Sequence, residues 1–175
     1  TAGMLALAFA SGAIAAESYP ARPIKLIVPF PPGGGPDLIA REVATTVTTQ
    51  QGWTIIIDNK PGSGGNIGMD AAAKAAPDGY TLVMGQTSNM AINPSLYAKL
   101  PYNPQKDLTP VGLVASAPLV IAVASNSPYK TLADLMNAAK ANPDGINYAS
   151  SGSGTVAHLA TEQLQRIANV KLTHV

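Results

Sequence analysis

Residues Val28–Arg41 read VPFPPGGGPDLIAR. A hydrophobic run stops at two prolines, three glycines follow, and a helix-type sequence starts at once with an early aspartate. Core packing does not call for such a turn. Glycine lets backbone N–H groups face a guest with no Cβ in the way. The first turn of a helix leaves its N–H groups unpaired and carries partial positive charge. Strand, glycine turn and helix N-terminus together make an anion site. A tight turn that only needs positive φ explains one such stretch equally well.

The same grammar recurs at Ile146–Leu164, INYASSGSGTVAHLATEQL. Two copies favour an anion held between them over two unrelated turns. No lysine follows either set of glycines, so the P-loop pattern is absent. Gly152-x-Gly154-x-x-Ala157 matches the dinucleotide fingerprint, but no acidic residue stands at the expected distance before the chain ends. Without phosphate equipment, a carboxylate is the more natural guest. Asp37 lies in a first helical turn with Arg41 four residues on, the spacing of a helix-surface ion pair. His158 is a lone histidine early in its helix, a place where a hydrogen-bonded structural role is common. His174 sits in an expected strand with no metal-type partner nearby. Ser127-Pro-Tyr-Lys130 matches S-x-x-K by chance, since its companion motifs are missing. Neither G-x-S-x-G nor H-E-x-x-H occurs, so no catalytic residues, metal site or cofactor are expected.

Around these turns, Pro23–Tyr97 alternates strand and helix, the pattern of an α/β layer with parallel strands. Strands are expected at Pro23–Phe30, Trp53–Asp58 and Tyr80–Gly85. The first helix places Ile39, Val43 and Val47 on one face and ends at Gly52. Residues 86–97 read as a polar loop with a short helical turn. Val111–Ser125, VGLVASAPLVIAVAS, is β-rich and broken by Pro118, and is expected to form two strands or one that changes partners. A helix follows, with Thr131 and Asp134 in a capping-box arrangement. A boundary near Ala115–Pro118 divides the chain into a first α/β domain at residues 17–116 and the start of a second at 117–175, both incomplete.

Composition narrows the class. The chain has 175 residues, 46% hydrophobic and 12% charged, with net charge +1. That is a globular composition, and no basic run marks a nucleic-acid surface. Cysteine is absent, which fits the cytosol or the periplasm. Met4–Ala16 is apolar with an Ala13-Ile14-Ala15 cleavage-like site, so residues 1–16 read as the remnant of a secretory signal peptide. The run is shorter than the ~20 residues of a membrane span. Both ends read as cut, the last residues VKLTHV being strand-like.

Four stretches then carry a resemblance: YPARPIKLIVPFPPGGGPDLIAR, IIDNKPGSGGNIGMDAAAKAAPDGYTLVMG, AINPSLY and YASSGSGTVAHLATEQL. In this order they resemble the Bug family, periplasmic solute-binding proteins of tripartite tricarboxylate transporters. The resemblance implies a two-domain α/β flytrap of the periplasmic-binding-protein kind, here truncated at the C-terminal side. It implies a monomeric periplasmic receptor, with no cofactor, that captures a small carboxylate and passes it to a membrane permease. It implies ligand contacts from Phe30, Pro31, Gly33, Gly34, Gly35 and Asp37 in the first turn. Ser151, Gly152, Ser153, Gly154, Thr155 and His158 would contribute from the second, and Thr87 and Ser88 would wall the ligand's far end. Two alternatives stay open: a ligand-sensing module for a membrane sensor, and a nucleotide-dependent enzyme using Gly152-x-Gly154.

Overall fold

The computed structural model describes residues 18–175. The expected signal remnant therefore lies outside the described residues. Three strands, β1 (Ile24–Val28), β2 (Ile55–Asn59) and β3 (Thr81–Val83), form a parallel sheet in the order β2-β1-β3. Leu26 stands opposite Ile57 on one side and Leu82 on the other. β1 is central, and a central parallel strand is covered on both faces. Accordingly Ile24, Leu26, Ile27 and Val28 are all buried, and the exposed Lys25 is the one charged residue in the strand.

Helix α1 (Gly35–Gln51) connects β1 to β2. Its buried spine is Asp37, Ala40 and Ala44, whereas Ile39, Val43 and Val47 are half-buried flanks. The expected apolar face is thus displaced by one position, because small alanines let the helix lie close to the sheet. Gly52 closes α1 in the left-handed conformation, donating its N–H to the Thr48 carbonyl. Helix α2 (Asn66–Ala73) connects β2 to β3. It crosses the end of β1 at Gly68, where a Cβ would stand 2.7 Å from Pro29 Cβ and 2.9 Å from the Lys60 carbonyl oxygen.

After β3 the chain is more helical than expected. A π-type turn at Ser88–Ile92 runs into α3 (Asn93–Leu96). A buried polar network ties this segment to α2. Asn93 Nδ2 donates to Asn66 Oδ1 at 2.6 Å, and the Tyr102 hydroxyl reaches Asn66 Oδ1 at 3.1 Å and the Asn89 carbonyl at 2.7 Å. Burial pushes the Tyr102 phenol up from its ordinary value, so it remains a hydroxyl donor.

The second parallel pair is β4 (Asn147–Tyr148) and β5 (Thr173–His174), joined through α5 (Val156–Ala168) and preceded by α4 (Leu132–Ala141). The Thr131–Asp134 capping box forms in both directions, at 3.1 and 2.9 Å. Val111–Ser125 departs from expectation: it contains no strand. Val111, Leu113 and Val120 are 87%, 89% and 82% exposed. β-type composition becomes a strand only against a partner edge, and the described residues bring none to this run. The expected boundary at residues 115–118 falls inside it.

One side chain pins the β1–α1 turn. Asp37 is 1% exposed. Its Oδ2 accepts from the Gly33 N–H and from Arg41 Nε, both at 2.9 Å. Its Oδ1 accepts from Asn59 Nδ2 at 2.9 Å and Arg41 Nη2 at 3.1 Å. Asn59 Nδ2 also reaches the Phe30 carbonyl at 3.1 Å. The carboxylate therefore ties the turn to α1 and to the end of β2. The Arg41 guanidinium, then the Gly33 N–H and Asn59, hold the Asp37 carboxyl far below the usual carboxylate range.

A depressed folded-state value means stabilisation that is complete above the unfolded carboxylate value and is lost only as pH falls through the gap. Thermal melts should place Asp37→Asn several degrees below wild type at neutral pH, with the gap constant down to about pH 5 and shrinking below about pH 4. A gap that persists unchanged in acid would show that the carboxylate does not hold the turn. Gly68→Ala should destabilise by about 1–3 kcal/mol in chemical denaturation, the usual cost of overpacking. An unchanged midpoint would mean that α2 can shift away from Pro29.

Candidate functional site

Ligand crevices in open parallel sheets form beyond the C-terminal strand ends, where the chain leaves neighbouring strands in opposite directions. Here that point lies between β1 and β3, since β1 leads to β2 on one side while β3 pairs on the other. The turn after β1 and the segment after β3 flank it.

In the first turn, Phe30 is half-buried and Pro31, Gly33, Gly34 and Gly35 are exposed. Gly33 spends its N–H on Asp37, and the Leu38 N–H goes to the Gly34 carbonyl. Pro36 has no N–H. The N–H groups of Gly34, Gly35 and Asp37 find no partner among the described residues. A Cβ on Gly33 or Gly35 would meet nothing within 4 Å, so the space in front is open. The turn is a set of backbone donors beside a neutralised cation, because Arg41 is bound to Asp37 at 2.9 Å. The Asp37 carboxylate already accepts four hydrogen bonds. That uses about all of its capacity, so only its backbone N–H is left over.

A third glycine turn spans Gly62–Gly65, between β2 and α2. All four of its residues have positive φ. A Cβ on Gly65 would touch Phe30 of the first turn at 3.4 Å and Asn89 Nδ2 at 2.8 Å. A Cβ on Gly64 would lie 3.4 Å from the Tyr97 hydroxyl and 4.0 Å from the Ser153 carbonyl oxygen. This turn therefore sits between the first and second glycine turns. Of the far-end candidates, Thr87 is exposed and Ser88 is buried in the π-type turn.

The second turn lies between β4 and α5 and is organised differently. Gly152 donates to Ser150 Oγ at 3.2 Å, and Thr155 to the Gly152 carbonyl at 3.2 Å. Gly154 donates to His158 Nδ1 at 3.1 Å. Thr155 caps α5, its Oγ1 accepting from the His158 N–H and donating to the Gly152 carbonyl at 2.7 Å. The N–H groups of the exposed Ser151 and Ser153 have no partner among the described residues. Gly154 is buried at φ 78 against the Leu96 side chain. The fingerprint Gly152-x-Gly154-x-x-Ala157 does stand between a strand and a helix, but both glycine amides are committed to side chains.

His158 is not isolated. Its ring centroid is 4.4 Å from that of His174 and 6.5 Å from Tyr148. Its Nε2 is 3.8 Å from Glu162 Oε1, which accepts the Tyr148 hydroxyl at 2.7 Å. His174 Nε2 pairs with Ser150 Oγ at 2.9 Å. Sequence spacing hides this cluster, because it depends on β4–β5 pairing, with Tyr148 opposite His174. Among the described residues, no three His, Cys, Asp or Glu side chains gather as a metal site.

Comparison with known proteins converges on one group. Residues 39–175 match the family described as "Tripartite tricarboxylate transporter family receptor". Protein BugT of Bordetella pertussis is 41% identical over 162 residues, covering 92% of this chain and 50% of BugT. A protein of Pseudomonas sp. strain P51 is 40% identical over 159 residues, 91% of this chain and 47% of its own length. Among solved structures, an R. palustris protein with adipate superposes with TM-score 0.86 at 35% identity, and MatC from Rhodopseudomonas palustris with bound malate with TM-score 0.80 at 33%. Each match covers 90% of this chain and 52% or 53% of the other. The periplasmic binding protein BugD superposes with TM-score 0.79 at 34% identity, over 90% of this chain and 52% of BugD. The fold is thus that of periplasmic binding proteins, and the chain spans about half the length of the curated relatives it matches. The chain belongs to the tripartite tricarboxylate transporter receptor family, among the Bug proteins.

Proposed function

We propose that this chain is the ligand-capturing portion of a periplasmic receptor that binds a small carboxylate at its glycine turns and delivers it to a membrane permease of the tripartite type. It acts as a monomer, by binding rather than by catalysis. One observation carries the reading: the amides of Gly34, Gly35 and Asp37 at the start of α1 have no partner among the described residues, while the neighbouring Arg41 is paired with Asp37. Relatives with adipate and malate support the ligand class.

Magnitudes favour cooperation between turns. A hydrogen bond to a charged group contributes roughly 1.5–3 kcal/mol, and a helix N-terminus about 0.3–1 more. Association costs an estimated ~4–15 kcal/mol, and micromolar binding needs a net of about 8. The first turn alone falls short, so contacts from Ser151 to Thr155 complete the site. Thr87, beside the switch point, bounds the ligand's far end, with Ser88 behind it.

Gly34→Val is the discriminating variant. Gly34 has φ −75 and ψ 167, an extended conformation that valine adopts readily. A Cβ there makes only ordinary contacts, 3.6 Å from the Pro31 carbonyl oxygen and 3.9 Å from Pro36. Gly154→Val is less informative, since it combines positive φ with a clash against Leu96. Calorimetric titration with malate and adipate should show binding by the wild type and at least about tenfold weaker binding by Gly34→Val, a loss of about 1.4 kcal/mol or more, with an unchanged melt. Wild type that binds neither acid, or Gly34→Val that binds as well as wild type, contradicts the proposal.

A further inference from the structure

The two turns hold their amides in different ways. At the first, the Gly34 and Gly35 N–H groups have no partner among the described residues. At the second, the Gly154 N–H is held by an imidazole, His158 Nδ1, at 3.1 Å. An N–H can donate only to a ring nitrogen that carries a lone pair, so the His158 proton must reside on Nε2. Adding a proton to Nδ1 would set two donors against each other and release the amide.

We propose that His158 is a positioning residue that competes with the guest's carboxylate for the Gly154 N–H, so that binding is coupled to proton uptake at its ring. The inference rests on the reading of this turn as a carboxylate site. When a carboxylate oxygen takes the Gly154 N–H, Nδ1 regains a free lone pair and the ring can accept a proton. Until then, protonation costs the hydrogen bond. The carboxylate-bound form therefore binds protons more readily than the free form, and lower pH favours binding. The direction holds until the guest's own carboxyl groups protonate.

Groups around the ring modulate this exchange from every packed element. From α5, Glu162 Oε1 stands 3.8 Å from Nε2. From β5, His174 lies 4.4 Å away, ring to ring. From β4, Tyr148 stacks at 6.5 Å and 17°. Burial, then Glu162, pushes its phenol up to about 12, so it stays neutral. From the turn come only the hydroxyls of Thr155, which accepts the His158 N–H, and Ser150, which pairs with His174.

Two variants separate coupling from mere support of the turn. In His158→Asn, the amide oxygen stands as many bonds from Cβ as Nδ1 does, yet takes no proton. His158→Ala removes the acceptor altogether. Amide spectra of the protein without added ligand, from about pH 5 to 8 where imidazoles change charge, should show the Gly154 resonance moving in step with the His158 ring. In His158→Asn that resonance should be flat. With malate as probe, wild-type affinity should strengthen toward acid by up to about tenfold per pH unit, with proton uptake seen as a buffer-dependent heat. His158→Asn should bind malate at neutral pH with a shallower slope, and His158→Ala more weakly. A Gly154 amide that ignores the His158 titration overturns the inference whatever the ligand does. Equal pH slopes in wild type and His158→Asn overturn the coupling alone. If neither malate nor adipate binds while Gly154 follows the ring, the carboxylate reading fails and the coupling falls with it.

Discussion

A buried carboxylate organises this molecule. Asp37 sits where the β1 turn, α1 and the end of β2 meet, and one hydrogen-bond set joins all three. A buried charge is tolerated only when it is paired and hydrogen-bonded, and Asp37 is both. The consequence reaches beyond stability. Satisfying Asp37 occupies Arg41, so the glycine turn beside it presents backbone dipoles instead of a mobile cation. Backbone donors are fixed in direction and lose no side-chain entropy on binding.

The two strand–turn–helix units share a grammar but distribute their hydrogen bonds differently. In the first, an acidic side chain takes one amide and leaves the next ones open. In the second, Ser150 and His158 take both glycine amides. Gly62–Gly65 stands between them, within 4.0 Å of Ser153 on one side and 3.4 Å of Phe30 on the other, measured from positions where a Cβ would be. Its three glycines adopt positive φ, which glycine does without strain.

Much of this was legible in the sequence, and the limits have physical causes. Proline and glycine punctuation marked the strand–turn–helix order, and the i,i+4 spacing of Asp37 and Arg41 marked their ion pair. The capping box at Thr131 is local and was readable for the same reason. Asn59 was not, since its contact with Asp37 spans 22 residues and exists only because β2 lies beside β1. The His158–His174 pair likewise depends on parallel pairing of two short strands. On α1, Ile39, Val43 and Val47 satisfy helical periodicity as well as Asp37, Ala40 and Ala44 do. Only the closeness of the sheet chooses between the two faces. Val111–Ser125 shows the converse: strand-like composition without a neighbour stays exposed and forms no strand.

The central claim is that backbone amides at the start of α1 hold the ligand's acid group. Amide resonances of Gly34, Gly35 and Asp37, followed while adipate is titrated into the protein, test it most directly. The account predicts that these three move downfield together and saturate with the calorimetric affinity, while the Arg41 side-chain Nε–H stays on Asp37 and hardly shifts. Saturable adipate binding that leaves the three amides in place and moves the Arg41 signal would contradict it.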